Sequence, residues 1–387
     1  MGSFDYEVRR VALVGEPYQI GLQHGGHLAA EIFDQLQIYR ELFQEACKFD
    51  WDAVRSVAAQ FRESISRLAP HLLEEMQGIA DGVRAQLGSK IDLLDIVALN
   101  ARSEIALGQW DDGCTSLAWR IRAPGSHKQI LAQNWDWREG VGKNLAIATI
   151  TAPDKPQIWM VIEPGIVGKI GFNSASVGVC LNAIRARPIS TALLPIHLLL
   201  RVALECSSID TAIASIESLG GAASSQHILI ADKDGARGLE LSPRGAFYLK
   251  EDENGVLVHT NHFLENRLVD EPPWLSGSPI RLERAKTICG ELIGEFGPDR
   301  LGEIDAKLLR ERVFSDTFNS PQAICCSPDP NRAARIQTLF NIVMTFEPGK
   351  TPSAEVVFGK PGSGKESTVY VGEFDLEPVS VVHTRVT

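Results

Sequence analysis

Asp112-Gly113-Cys114-Thr115-Ser116 is the segment of this chain best suited to covalent chemistry. A cysteine thiolate is an intrinsically strong nucleophile. The residue before it is a glycine, whose carbonyl no Cβ shields and whose backbone takes strained geometries. Attack of the Cys114 thiol on the Gly113 carbonyl would convert the peptide bond into a thioester that water hydrolyses. That cut would free the α-amino group of Cys114, with an ordinary pKa of about 7.7–8.0. The new amine is then placed to act as base for its own thiol, as in N-terminal threonine nucleophiles. Alone, the tripeptide is a string that many unrelated loops contain.

Other chemical-looking motifs read as structural. Gly359-Lys360-Pro361-Gly362-Ser363-Gly364-Lys365 approaches a phosphate-binding loop, but Glu366 stands where a magnesium-binding Ser or Thr belongs. It leads into the strand-like Ser367–Val371 with no helix N-terminus to receive phosphate, so a hairpin loop is expected. His259 and His262 lie three apart in β-like sequence, which sends them to opposite faces and argues against a shared metal. Cys325-Cys326 carries the same objection, and no metal is expected. His24 and His27 fall in a glycine-rich turn and helix start and read as packing residues. No G-x-S-x-G elbow occurs.

The elements that must position Cys114 change character at Cys114 itself. Before it, Trp51, Val54, Val57, Ala58, Phe61 and Ile65 recur at helical steps, as do Leu72, Leu73, Met76, Ile79, Ala80, Val83 and Leu87 after Pro70. Asp92 is an N-cap for a helix over Leu93–Ile105, with Asp95 in its first turn. After it come strand-like runs at Gln129–Trp135, Leu145–Thr151 and Gln157–Ile162. Helices are expected over Leu193–Glu205 and Ile209–Leu219, the second stopped by Gly220-Gly221. Strands resume at His227–Ala231, Gly238–Ser242, Ala246–Lys250 and Val256–His262. A helix over Pro279–Phe296 follows, with Arg281, Glu283, Arg284 and Lys286 on a solvated face. Strands at Ile336–Phe346, Ala354–Phe358 and Ser367–Val371 close the chain. Helices first, strands last and helices between them indicate an α+β layered fold.

Composition bounds the class. The chain has 387 residues, 44% hydrophobic and 22% charged, with a net charge of −11. That is a globular composition with ample core, and its acidity argues against nucleic-acid partners. Residues 1–113 carry ten Lys/Arg and eighteen Asp/Glu, a net of −8, which leaves −3 for 114–387. The first segment therefore reads as a solvent-facing helical layer. The longest apolar run, Leu193–Ala203, is broken by Pro195, His197 and Arg201, so no membrane partner is expected. Seven cysteines without CxxC spacing, and no signal peptide, indicate reduced thiols and a cytoplasmic protein.

Read together, eight segments resemble the acyl-coenzyme A:6-aminopenicillanate acyltransferase (isopenicillin N acyltransferase) family of fungi, also called peptidase family C45. They are Gly15–Gly25, Gln77–Gly82, Leu99–Glu104, Asp112–Ser116, Gln133–Trp137, Gly168–Ser174, His259–His262 and Thr338–Ile342. The resemblance spans almost the whole chain and implies a four-layer αββα N-terminal-nucleophile hydrolase sandwich, one domain over 1–387. It implies autocatalytic cleavage between Gly113 and Cys114 into an α-chain (1–113) and a β-chain (114–387) that stay together as a heterodimer. It makes Cys114 the nucleophile, Asp136 the acidic residue that fixes the freed amine, Asn261 the oxyanion-hole donor and Arg335 the active-site arginine. Trp137 stands where a phenylalanine lines the acyl pocket, and Ser225 matches a functionally important serine.

The implied reaction is acyl transfer to an amine such as 6-aminopenicillanate, or hydrolysis of isopenicillin N, in penicillin biosynthesis. Acyl-coenzyme A is the implied co-substrate, with no bound cofactor. Two alternatives stand beside it: an amidohydrolase of an N-acyl metabolite with water as acceptor, and an unprocessed, catalytically weak paralogue. Ala334, where the family has serine, favours the last. The ending Arg385-Val386-Thr387 departs from the peroxisomal Ser-Lys-Leu class, which agrees with a cytoplasmic relative.

Overall fold

The computed structural model describes residues 8–106, 113–272, 277–331, 335–362 and 368–374; Asp111, Asp112, Ala334, 363–367 and the terminal tripeptide lie outside the described residues. Strand β1 (Arg9–Val14) opens the chain and is followed by α1 (Pro17–His27), α2 (Ala29–Cys47), α3 (Trp51–Leu68) and α4 (Pro70–Leu87). Helices α5 (Leu93–Asn100) and α6 (Arg102–Ile105) complete this part. After Cys114 come β2 (Thr115–Ala123), β3 (Ser126–Arg138), the single turn α7 (Glu139–Gly142), β4 (Ala146–Thr151), β5 (Ile158–Ile162), β6 (Ile170–Asn173) and β7 (Gly178–Ala183). Helices α8 (Ile196–Leu204) and α9 (Ile209–Ser218) lead to β8 (Gln226–Asp232), β9 (Gly235–Ser242), β10 (Gly245–Lys250) and β11 (Val256–His259). The long α10 (Ser278–Arg300) and short α11 (Ala306–Leu309) precede β12 (Ile336–Phe346), β13 (Ser353–Phe358) and β14 (Val369–Gly372).

The strands form two sheets, of order β1-β4-β5-β6-β7-β8-β9-β10 and β11-β2-β3-β12-β13-β14. Alternation along β2 shows why they stack. Leu117, Trp119 and Ile121 face α10 in one core, whereas Ala118 joins the core shared with the eight-stranded sheet. Gln133 of β3 ties the sheets together: its amide donates to Leu181 O of β7 (2.5 Å) and accepts from Leu181 N (3.0 Å). Helices α1–α5, α8 and α9 share the core of the eight-stranded sheet, and α10 covers the six-stranded one. This is the α+β, αββα layering expected. No helix among the described residues is long and apolar enough to cross a membrane.

Several expectations are corrected. Residues 1–113 are not helical throughout: β1 pairs in parallel with β4, its Val11 and Leu13 buried on alternate positions. Helix α5 is capped by Asp92, which accepts from Leu94 N and Asp95 N, but ends at Asn100, whose side chain turns to bind Gly165 O and Val167 N. Helix α8 starts at Ile196, behind the N-cap Pro195. Strand β11 stops at His259 because Asn261 N and His262 Nδ1 turn to Ser278 Oγ, each at 2.8 Å. His24 lies inside α1, where its Nε2 accepts from Gly165 N; burial drives its pKa down to about 3.

The motifs at Gly15–Gly25 and Gln77–Gly82 have a steric explanation. Helices α1 and α4 cross with their backbones in contact through Gly21, Gly25, Gly78 and Gly82. A Cβ at Gly78 would sit 2.2 Å from Tyr18 O, and one at Gly25 2.1 Å from Ile79 O. Neither obstacle is a side chain that can rotate aside. Gly78→Ala is expected to cost about 1–3 kcal/mol of stability as the helices are forced apart. Gly290→Ala in α10, where a Cβ meets nothing within 4 Å, should gain up to about 1 kcal/mol from helix propensity. Urea midpoints of the two variants test the contrast; equal shifts would refute it.

Candidate active site

Cys114 stands at the entry to β2 and is buried at 3% exposure. Its Sγ donates to the backbone carbonyl of Asp136, 3.7 Å away on β3. The Asp136 carboxylate lies against Gly113: a Cβ built there would meet Oδ2 at 2.6 Å. A side chain there would have to displace the carboxylate, which flanks the bond proposed to break. Thr338, opposite Asp136 in the β3–β12 register, donates its hydroxyl to Asp136 Oδ1 (2.7 Å) and accepts from Cys326 N (2.9 Å).

Asn261 is held in the turn after β11. Its Nδ2 donates to Ala183 O at the end of β7 (2.9 Å) and its Oδ1 accepts from Arg281 Nη2 (2.9 Å). An amide nitrogen carries two hydrogens, so one N–H remains for an acyl oxygen. Arg281 also donates through Nη1 to Cys114 O (2.5 Å) and Thr115 Oγ1 (3.0 Å). The solvated face assigned to Arg281 is therefore wrong: it is 2% exposed, because it shares the inward stripe of α10 with Ala285, Ile288 and Leu292. Sequence reasoning missed it. The signal was there, since 281, 285, 288 and 292 follow four-, three- and four-residue steps.

Behind the two tryptophans of β3 lies a buried charge cluster. Glu163 accepts from Arg102 Nη2 (2.5 Å), Lys169 Nζ (2.7 Å), Tyr39 OH (2.5 Å) and Gln35 Nε2 (3.1 Å). Burial alone would raise the Glu163 carboxyl, but the cations Arg102 and Lys169 hold it well below the usual carboxylate range. Burial, opposed by Glu163, brings Lys169 down to about 8. Lys169 Nζ lies 3.7 Å from the Trp135 ring centroid, and Arg102 covers Tyr39 and Trp137.

The other predicted residues are placed as follows. Trp137 is buried, stacks on Trp135 and donates Nε1–H to Tyr39 OH (2.9 Å). Ser225 is buried just before β8; its carbonyl accepts from Ile184 N, and its hydroxyl has no hydrogen-bond partner among the described residues. Ala183 and Ile184 thus bring Asn261 and Ser225 to one end of β7. Arg335 stands at the outer start of β12, 59% exposed in its side chain, with Nε on Glu139 Oε2 (2.6 Å). The structure gathers Cys114, Asp136 and Asn261 and leaves Arg335 exposed, paired with Glu139. His259 bonds Glu240 and stacks on His227, while His262 turns to Ser278, so the two histidines of the motif serve different partners. Burial pushes the Cys325 thiol, like Cys289, up to about 12.

The acyl-coenzyme A:6-aminopenicillanic acid acyl-transferase family matches residues 123–361. The acyl-coenzyme A:6-aminopenicillanic-acid-acyltransferase 40 kDa form of Emericella nidulans is 34% identical over 363 residues, 93% of this chain and 95% of that protein. Two solved structures align more distantly. A variant of conjugated bile acid hydrolase from Clostridium perfringens has 12% identity and a TM-score of 0.46, covering 70% of this chain and all of that one. Penicillin V acylase from Agrobacterium tumefaciens has 11% identity and a TM-score of 0.41, covering 67% and 86%. The chain belongs to the acyl-coenzyme A:6-aminopenicillanic acid acyl-transferase family and is an enzyme of the acyltransferase class.

Proposed function

We propose that the chain is a self-processing cysteine enzyme that exchanges acyl groups on the amine of a β-lactam nucleus. The observation that carries this reading is the packing of the Asp136 carboxylate on Gly113 while the Cys114 thiol rests on Asp136 O. In processing, Sγ bonds to the Gly113 carbonyl carbon, the C–N bond breaks, and the departing nitrogen takes a proton. Water then hydrolyses the thioester, leaving a Gly113 carboxylate and a Cys114 that carries both thiol and amine. The freed amine forms beside Asp136, which would hold it as the base. In turnover, the thiol takes an acyl group from acyl-coenzyme A and the coenzyme A thiol leaves with the proton. The amine of 6-aminopenicillanate then displaces Cys114 from the acyl carbon. Asn261 Nδ2 would bind the oxyanion in each step; one such donor is worth about 10²–10³ in turnover. Amide hydrolysis uses the same thioester with water as acceptor.

The fragments 1–113 and 114–387 would remain one particle. Strand β1 supplies the edge of the eight-stranded sheet, and Gln35, Tyr39 and Arg102 close the charge cluster on Glu163. Intact-mass analysis of purified protein should resolve two species, one ending at Gly113 and one beginning at Cys114, that elute together under native conditions. Incubation with phenylacetyl-coenzyme A and 6-aminopenicillanate should then give penicillin G. Free phenylacetate as the only product would make water the acceptor. A whole chain that forms no thioester would refute the reading.

A further inference from the structure

Residues that act directly are held by others, and the first turn of α10 does this at two points at once. Ser278 Oγ accepts from Asn261 N (2.8 Å), and one turn later Arg281 reaches both the Asn261 side chain and the Cys114 carbonyl. A guanidinium has five donors and no acceptor. Its presence therefore decides which way the Asn261 amide lies: Oδ1 must face Arg281, and Nδ2 must face Ala183 O and the open N–H direction. Rotating the amide by half a turn would set Nδ2 against a cation and offer an oxygen to the oxyanion. The same cation polarises the amide, which strengthens the remaining N–H as a donor. Because Nη1 holds Cys114 O and Thr115 Oγ1, nucleophile and oxyanion donor are tied to one rigid, planar group.

We infer that Arg281 is the positioning residue of the reaction, setting the orientation of the Asn261 amide and its distance from the Cys114 nucleophile. This rests on the proposed roles of Cys114 and Asn261. Arg281 does not itself need to touch substrate; it acts through two residues that do.

The test uses the full chain, allowed to process, with phenylacetyl-coenzyme A and 6-aminopenicillanate as probes. Arg281→Met should lower kcat by about 10–10²-fold with KM within about twofold, because the lost interaction matters in the transition state. Arg281→Lys, which keeps the charge but not the fork, should recover part of that loss. Coupling separates positioning from plain stability. In an Asn261→Ala background, Arg281→Met should cost less than about threefold further, since its main route of action is already gone. Thermal melts identify folded variants, and Arg281→Lys keeps the test alive if Arg281→Met does not fold. A folded Arg281→Lys chain with kcat within twofold of the parent would overturn the inference, as would independent, multiplicative losses in the double variant. A parent chain that neither cuts nor acylates Cys114 would instead overturn the underlying reading of function.

Discussion

Cys114→Ala is expected to leave a single chain of 42.3 kDa where the proposed processing would divide the parent into fragments 1–113 and 114–387. Among the described residues, the Asp136 carboxylate packs on Gly113 but is a weak nucleophile toward an amide, and Thr115 Oγ1 accepts from Arg281. Turnover should fall by about 10⁴-fold or more, as when other enzymes lose their nucleophile. Cys114→Ser should cut slowly, since a hydroxyl is a poorer nucleophile than a thiol at neutral pH. Gly113→Ala should also impair cutting with the nucleophile intact, because its Cβ would displace the Asp136 carboxylate. Intact mass over time reads all three. Scission of the Cys114→Ala chain at this same bond would assign the cut to another group and remove the mechanism.

Much of this arrangement was legible in the residues, for identifiable reasons. Helices α3 and α4 carry strong apolar periodicity and were readable to within a few residues, and Asp92 caps α5 by the geometry its position implies. Strand β1 was not readable. Six residues with two buried positions give little local signal, and the partner strand β4 lies more than a hundred residues away. Sheet order in general is set by such distant pairings. At the site, Cys114, Asp136 and Asn261 were legible only through the resemblance carried by eight segments in order, since each segment alone is a weak signal. Arg281 was concealed by its neighbours: Glu283, Arg284 and Lys286 make the region look solvated, and the apolar Ile280 beside it is the exposed residue. The Glu163 cluster was concealed differently. Its members come from α2, α6 and the connection between β5 and β6, and a lone glutamate gives no hint of the cations that converge on it.

That cluster carries the second large expectation. Glu163→Gln should destabilise the folded chain by about 3–5 kcal/mol, the range for removing one partner of a buried ion pair. The substitution keeps the shape of the side chain and removes only the charge. It leaves Arg102 and Lys169, both buried, without their shared carboxylate. Lys169, already down to about 8, can shed its proton; Arg102 cannot. The pH dependence follows from the depressed Glu163 carboxyl. Its contribution is complete above the unfolded carboxylate value of about 4.3 and is lost as pH falls toward the lower folded value. Urea unfolding at pH 7 should therefore show the full difference between parent and variant. Below about pH 4 the gap should shrink progressively, closing only as pH reaches the lower folded value, where protonation gives the parent the neutral side chain that the variant already has. Since Gln35, Tyr39 and Arg102 precede the cut while Glu163 and Lys169 follow it, the processed variant should also release its fragments at lower urea than the parent. A loss below about 1 kcal/mol at pH 7, or a gap that persists unchanged into acid, would show that the charge on Glu163 does not hold the two parts together.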